Sequence, residues 1–347
     1  MGPDRVALYR RMLVCRRVEE AIAVLWHDGR ISGEMHLGIG EEGINAGVLD
    51  HLGEGDAVAL DHRGTAGMIL RGVGIAAVVG ECLGSPRGLC GGMGGHMHLY
   101  SKERLAASSG IVGAAGPAAC GFALAAQHLR PGRIAVAFFG EAAMNQGMLM
   151  EAMNLAAAWE LPVLFVCRDN GMAITTPSPS VTGGDLEERA RGLGVPGTTV
   201  DGADVESVWE AARGMIDRAR GGRGPGFLRA TCVRPDGHFL GDPLLRIARK
   251  PLAELRPRIG PLASAATASE GASIGERVAG LGEIASILGR VARTQLGSGR
   301  DPVARLRNRL GIPSDALAKL ESEVEALVAT AMEEALRPEP GAGTGAG

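Results

Sequence analysis

The sequence predicts an α/β protein built on a doubly wound, mostly parallel sheet with helices on both faces and a helical C-terminal extension. Three observations carry that prediction. Short continuous apolar runs, Ile134–Phe139 and Val163–Cys167, flank a helix-length segment at Asn145–Trp159, and such runs read as strands buried on both faces. The 54 glycines cluster, outside the last ten residues, at turns between apolar segments, where an α/β protein places its ligand loops. Strand and helix patterns keep alternating along the chain, which implies parallel strands joined by helices.

Taken in order, residues 4–28 read as an amphipathic helix, with Leu8, Met12, Val18, Ile22 and Leu25 near helical spacing. A second helix follows from about Glu41. Ala57–Leu60 is a short apolar run, a helix runs through Cys82, and a Gly-rich loop spans Gly88–Gly95. After the strand–helix–strand unit of 134–167 come a helix at Asp204–Arg220 and a strand at Phe227–Val233. Residues 244–300 break the rhythm with Pro251, Pro257 and Pro261 and a helical stretch at 274–296. The last helix, Ser314–Leu336, has Ser314 as its expected N-cap. These shifts divide the chain into an α/β domain at 1–243, an accessory helical insertion at 244–300, a C-terminal helical segment at 301–337 and an unstructured tail at 338–347.

Composition narrows the class. Net charge is −3, with acids and bases mixed along 347 residues, so neither a nucleic-acid partner nor an anionic membrane surface is indicated. Apolar runs such as Ala114–Ala126 fall short of a membrane span. The first 25 residues carry Arg10, Arg11, Arg16, Arg17, Glu19 and Glu20, a helix pattern and not a signal peptide. Six scattered cysteines without a C-x-x-C pair read as reduced, mostly buried thiols, and the expected location is the cytoplasm.

The stretch 138–177, FFGEAAMNQGMLMEAMNLAAAWELPVLFVCRDNGMAITTP, carries the most chemistry. One strand ends at Gly140 with Glu141 directly after it, and the next ends at Arg168 and delivers Asp169–Asn170. Carboxyl ends of neighbouring parallel strands face one crevice. A carboxylate and an amide oxygen placed there suit a hard cation such as Mg²⁺, which takes phosphate oxygens as further ligands. A helix starting near Asn145 would add backbone N–H groups for a diphosphate. On this stretch alone, a βαβ unit whose polar residues merely cap the strands remains an equal reading.

The same stretch resembles the thiamine-diphosphate motif of 2-oxo acid dehydrogenase α subunits, G-D-G-A-A-N-Q-G followed by N-N. Asn145–Gln146–Gly147 and Ala173–Pro177 match it. Further blocks agree in order: Met35–Gly47 (MHLGIGEEGINAG), His62–Gly64 (HRG), Gly88–Leu99 (GLCGGMGGHMHL), Gly110–Ala114 (GIVGA), Gly237–Pro243 (GHFLGDP) and Asp301–Leu310 (DPVARLRNRL). The resemblance implies a thiamine-diphosphate-binding fold that uses Mg²⁺. It implies decarboxylation of a 2-oxo acid or cleavage of acetoin, with the product unit passed to a lipoyl-bearing acyltransferase. The expected partner is a β subunit in an α2β2 assembly, which supplies the glutamate that activates the cofactor's pyrimidine ring.

Carried onto this chain, the resemblance makes Arg63 and His238 contacts of the diphosphate and the reacting end of the cofactor. His62 stands at the aromatic position beside Arg63, as in acetoin-type members, and backbone groups of Gly110 and Val112 meet the aminopyrimidine. Gly140, Glu141, Ala142 and Ala143 form the cofactor motif together with Asn170. Glu141, Asn170 and the carbonyl oxygen of Met172 complete the metal shell. His238 and His36 are the candidate catalytic imidazoles, although His36 taken by itself reads as a structural one. The Gly91–Gly95 run is expected at a cofactor or subunit contact.

The chain also departs from the pattern. Glu141 replaces the family's Asp, Ala142 its Gly, and Asp169 the first Asn; Met172 stands at an aromatic position, and Thr65 takes the place of a histidine. Threonine has no proton to exchange near neutral pH. These changes keep two alternatives in view: a non-catalytic α-like subunit, and a thiamine enzyme that makes or breaks C–C bonds without a lipoyl acceptor.

Overall fold

A computed structural model describes residues 2–250, 253–254, 256–267, 271–295 and 298–338. The predicted tail lies outside these residues except for Pro338. Helix α1 (Arg5–His27) starts where Asp4 accepts from the N–H groups of Val6 and Ala7. Then come α2 (Glu42–Leu49), β1 (Ala57–Leu60), α3 (Thr65–Leu70) and α4 (Ile75–Cys82). After β2 (Tyr100–Ser101), β3 (Ala106–Ser108) and α5 (Ala115–Leu129), the chain enters β4 (Ala135–Gly140), α6 (Gly147–Ala158) and β5 (Val163–Asp169). A small hairpin of β6 (Met172–Ala173) and β7 (Thr176–Pro177) leads to α7 (Leu186–Gly192), β8 (Gly197–Asp201), α8 (Val205–Arg220) and β9 (Gly226–Thr231).

The main sheet has seven strands in the order β2-β3-β1-β4-β5-β9-β8. All neighbours are parallel except β2 and β3, which pair antiparallel. The α/β prediction thus describes the sheet. Strands β4 and β5 sit at its centre, and all of β5 and nearly all of β4 are buried, as their unbroken apolar runs require. One face is covered by the small residues of α5 and by α6; the other meets Ile44 and Val48 of α2 and Val208, Ala212 and Ile216 of α8.

A third apolar cluster lies beside the sheet, where α1 meets the C-terminal helices α12 (Pro302–Arg307) and α13 (Ser314–Leu336). Arg16 of α1 holds this corner together. Its guanidinium donates to Glu42 at 2.6 Å and to Asp301 at 3.0 and 3.1 Å. Asp301 also accepts from Val303 N–H and caps α12, so one carboxylate ends a loop and docks it.

Several local expectations need correction. The N-cap of α13 is Pro313, and Ser314 is the first helical residue without a side-chain cap. The helix expected from Asn145 begins at Gly147, because a 3₁₀ turn occupies Glu141–Asn145 and Gln146 is extended (φ −89°, ψ 128°). Strands β2, β3 and β8 were not anticipated; β2 and β3 have two and three residues, too few for an alternating pattern to show. In the 244–300 region the described helices are α9 (Pro243–Arg249), α10 (Ile259–Thr267) and α11 (Ile274–Gln295).

Candidate active site

The carboxyl ends of β1, β4 and β5 lie along one edge of the sheet, and a cleft of about 420 Å³ opens there. Pairing sets the alignment: Gly140 at the end of β4 is opposite Arg168 in β5. Beyond β1 the chain delivers Asp61, His62 and Arg63; beyond β4 it delivers Glu141, Ala142 and Ala143 on the 3₁₀ turn.

Most of the sequence-predicted residues meet in this cleft. His36, His62, His238, Gly110, Val112, Gly140, Glu141, Ala142, Ala143 and Met172 all line it. Arg63 lies behind the lining, 1% exposed. Its Nη2 donates to the His238 carbonyl oxygen at 2.6 Å and approaches His238 Nδ1 at 3.3 Å. Asn170 is not brought in. It borders a separate cavity with Asp169 and Arg300, and its Oδ1 accepts from Arg234 Nη1 at 3.0 Å. The Gly91–Gly95 run does not line the cleft either. It wraps the Glu81 carboxylate, which accepts from Cys90, Gly92 and Gly94 N–H at 2.7, 2.9 and 2.6 Å. Gly94 has no room for a side chain, since a Cβ there would stand 2.1 Å from the His98 carbonyl oxygen.

Three imidazoles crowd together: the His36 ring centroid lies 4.9 Å from that of His62 and 4.9 Å from that of His238, and the last two are 5.6 Å apart. Burial, followed by the neighbouring His and Arg charges, pushes His36 down to about 2 and His238 to about 3. His62 falls to about 4, mainly through burial, although Asp61 opposes the shift. All three are therefore neutral near pH 7, poised to accept or donate a hydrogen bond. Burial also lowers Arg63 to about 9, helped by Arg234, which leaves it cationic at neutral pH.

Glu141 is 2% exposed, and its Oε1 accepts from Ser178 Oγ at 2.6 Å. Burial raises its pKa, with Arg234 and Ser178 opposing. A second carboxylate, Glu41, sits beneath the cleft and pairs with Arg168 at 2.8 Å and Arg234 at 2.6 Å. Arg168 continues to Asp61 at 2.5 Å. Burial would raise Glu41 and Asp61, but Arg168 outweighs it in both. Sequence reading passed over Glu41, Asp61, Arg168 and Arg234. The signal available was an arginine ending the apolar run VLFVC, since a buried charge needs a partner.

The profile of the dehydrogenase E1 component family matches residues 10–264. The chain belongs to that family. It is 43% identical over 239 residues to the α subunit of acetoin:2,6-dichlorophenolindophenol oxidoreductase from Cupriavidus necator, covering 68% of this chain and 72% of that one. The Bacillus subtilis protein of the same name is 39% identical over 237 residues, 68% and 71% of the two chains. The pyruvate dehydrogenase E1 component subunit alpha of Rhizobium meliloti is 35% identical over 261 residues, 75% of each chain. This is accordingly a thiamine-diphosphate-dependent E1 α chain of the pyruvate and acetoin dehydrogenase family, an oxidoreductase component that works with a β subunit. Among the described residues no helix is long and apolar enough to cross a membrane.

Two buried polar atoms fit an anionic cofactor here. Arg63 Nε and His62 Nε2 have no hydrogen-bond partner within the protein, and a buried donor without an acceptor is costly unless a ligand supplies one. The first turn of the 3₁₀ segment adds N–H groups that have no partner inside the turn. The donor set therefore suits a diphosphate.

Proposed function

We propose that this chain is the α subunit of an acetoin-cleaving E1, acting with Mg²⁺ in an α2β2 assembly and passing a two-carbon unit to a lipoyl-bearing acyltransferase. Arg63 and His238 would hold the diphosphate. Glu141 and the carbonyl oxygen of Met172 would hold Mg²⁺, with Asn170 joining when Arg234 releases its Oδ1. Ala142, Ala143 and Gly140 would leave backbone N–H groups for phosphate oxygens, and Gly110 and Val112 would border the aminopyrimidine. Bound thiamine diphosphate supplies a carbanion that adds to a carbonyl and takes up the electrons of C–C cleavage.

The observation that favours acetoin over a 2-oxo acid is the charge of the lining. Its imidazoles are neutral, its aliphatic side chains are Ile111, Val112 and Ile174, and its arginine, Arg234, is paired with Glu41. Glu34 adds a negative charge to the same lining. A neutral hydroxyketone suits such a surface, whereas a carboxylate would be desolvated without a free cation. His36 and His238 would move protons at the substrate oxygen, which asks for a neutral base near working pH.

The test is co-expression with a β chain, mass measurement of the complex, and turnover of acetoin and pyruvate with a lipoyl or dye acceptor. An α2β2 mass and a kcat/KM for acetoin at least tenfold above that for pyruvate are expected. Faster use of pyruvate would overturn the substrate assignment, and turnover by the α chain alone would overturn the assembly. The non-catalytic alternative predicts cofactor binding without turnover of either substrate.

A further inference from the structure

His96 ends the Gly-rich loop and is 9% exposed, yet it does not line the cleft. Its ring lies nearly parallel to that of His36, at 18° with centroids 5.3 Å apart. Two hydrogen bonds join the pair. The backbone N–H of His36 donates to His96 Nε2 at 3.3 Å, and His36 Nδ1 lies 3.0 Å from the same nitrogen.

The backbone bond decides the protons. A peptide N–H is always a donor, so the nitrogen it meets carries the lone pair. His96 Nε2 is therefore unprotonated, and neutral His96 bears its hydrogen on Nδ1. Nδ1 of His36 must then be the donor, which leaves the lone pair of His36 on Nε2. That atom lies 4.0 Å from the carboxylate of Glu34, and both residues line the cleft. Burial lowers His96 to about 4, consistent with a neutral acceptor at working pH.

We propose that His96 is a positioning residue that locks His36 in the Nδ1–H tautomer and so presents the basic Nε2 of His36 to the cleft. The arrangement follows a general rule: which ring nitrogen of a histidine is free is set by the bond that the other makes. Glu81 takes part at one remove. By gathering the N–H groups of Cys90, Gly92 and Gly94 it fixes the loop that ends at His96. The proposal rests on the reading of His36 as a working imidazole.

Two measurements test it separately from that reading. Nitrogen-15 spectra of the histidine-labelled full chain report each tautomer directly. His36 should be wholly Nδ1–H in the parent and mixed in His96→Leu, while His96→Gln, whose amide oxygen can accept both bonds, should restore the single form. In the αβ complex, His96→Leu should lower kcat roughly tenfold or more, at the modest end of a placed acid–base group. Cofactor Kd should change less than twofold, and His96→Gln should recover most of the rate. An unchanged His36 tautomer in His96→Leu overturns the proposal, as does equal damage by Leu and Gln. If His36→Gln keeps full kcat, the base assignment fails, while the tautomer spectra still decide what His96 does.

Discussion

Arg234 donates from Nη1 to Asn170 Oδ1 at 3.0 Å and thereby turns the amide toward a second cavity, away from the cleft that Glu141 lines. The same arginine donates through Nε to Glu41. It thus stands between the carboxylate that neutralises it and the amide expected in a metal shell.

This arrangement makes metal binding sensitive to Glu141 first and Asn170 second. Glu141→Ala should abolish the Mg²⁺ dependence of thiamine diphosphate binding, measured by calorimetry on the αβ complex. Glu141→Asp with Ala142→Gly should restore or tighten it, since the shorter acid and the bare backbone match the family motif. Asn170→Ala should weaken binding by roughly tenfold, about 1.4 kcal/mol. Equal binding with and without Mg²⁺ in the parent would remove the metal from the site.

The buried network of Glu41, Arg168, Arg234 and Asp61 makes a stability prediction. Glu41→Gln leaves two guanidinium groups short of a counter-charge in a dry interior. The expected loss is about 3–5 kcal/mol, the usual cost of breaking a buried pair from one side. Chemical denaturation of the purified chain measures it. A loss under about 1 kcal/mol would mean that water reaches the network.

Glu19 gives a pH signature. It is fully buried, its Oε1 accepts from Gly38 N–H at 3.0 Å, and its Oε2 has no partner. Burial, then the nearby Glu42, raises it from 4.5 to about 8. An acid raised in the folded state is ionised more readily in the unfolded chain. Its stabilising contribution is present below pH 4.5 and is lost as pH rises to about 8, by up to about 1.4 kcal/mol per pH unit. Glu19→Gln should therefore raise the Tm at pH 8 relative to the parent and do little at pH 5. The same rise at both pH values would place the effect in packing.

Helices α10 and α11 expose much of their described surface, including Ile259 at 61%. None of the cleft's lining residues comes from 244–300. Amides of 259–267 and 274–295 should exchange quickly in the isolated chain and slow down on β-subunit binding, while β4 and β5 stay protected throughout. Strong protection in the isolated chain would identify a subdomain that packs without a partner.

Much of this protein was readable from its residue order because the information is local. The runs 134–139 and 163–167 could only be buried strands, and the run at 57–60 and the helical periodicity of 4–28 and 204–220 correspond to observed elements. The ordered blocks around His62–Arg63, Glu141 and His238 named a family and a cofactor, because the chemistry of binding a diphosphate repeats the same short loops. The sequence could not say which partners distant charges would choose. Glu41 meets Arg168 and Arg234 across 127 and 193 positions, and Asn170 turns to Arg234 rather than to the cleft. Those choices depend on which side chains share a low-dielectric interior once the sheet is assembled. His96 shows the same limit most clearly: its spacing carries no sign of His36, and only the folded loop brings the two rings together and assigns their protons.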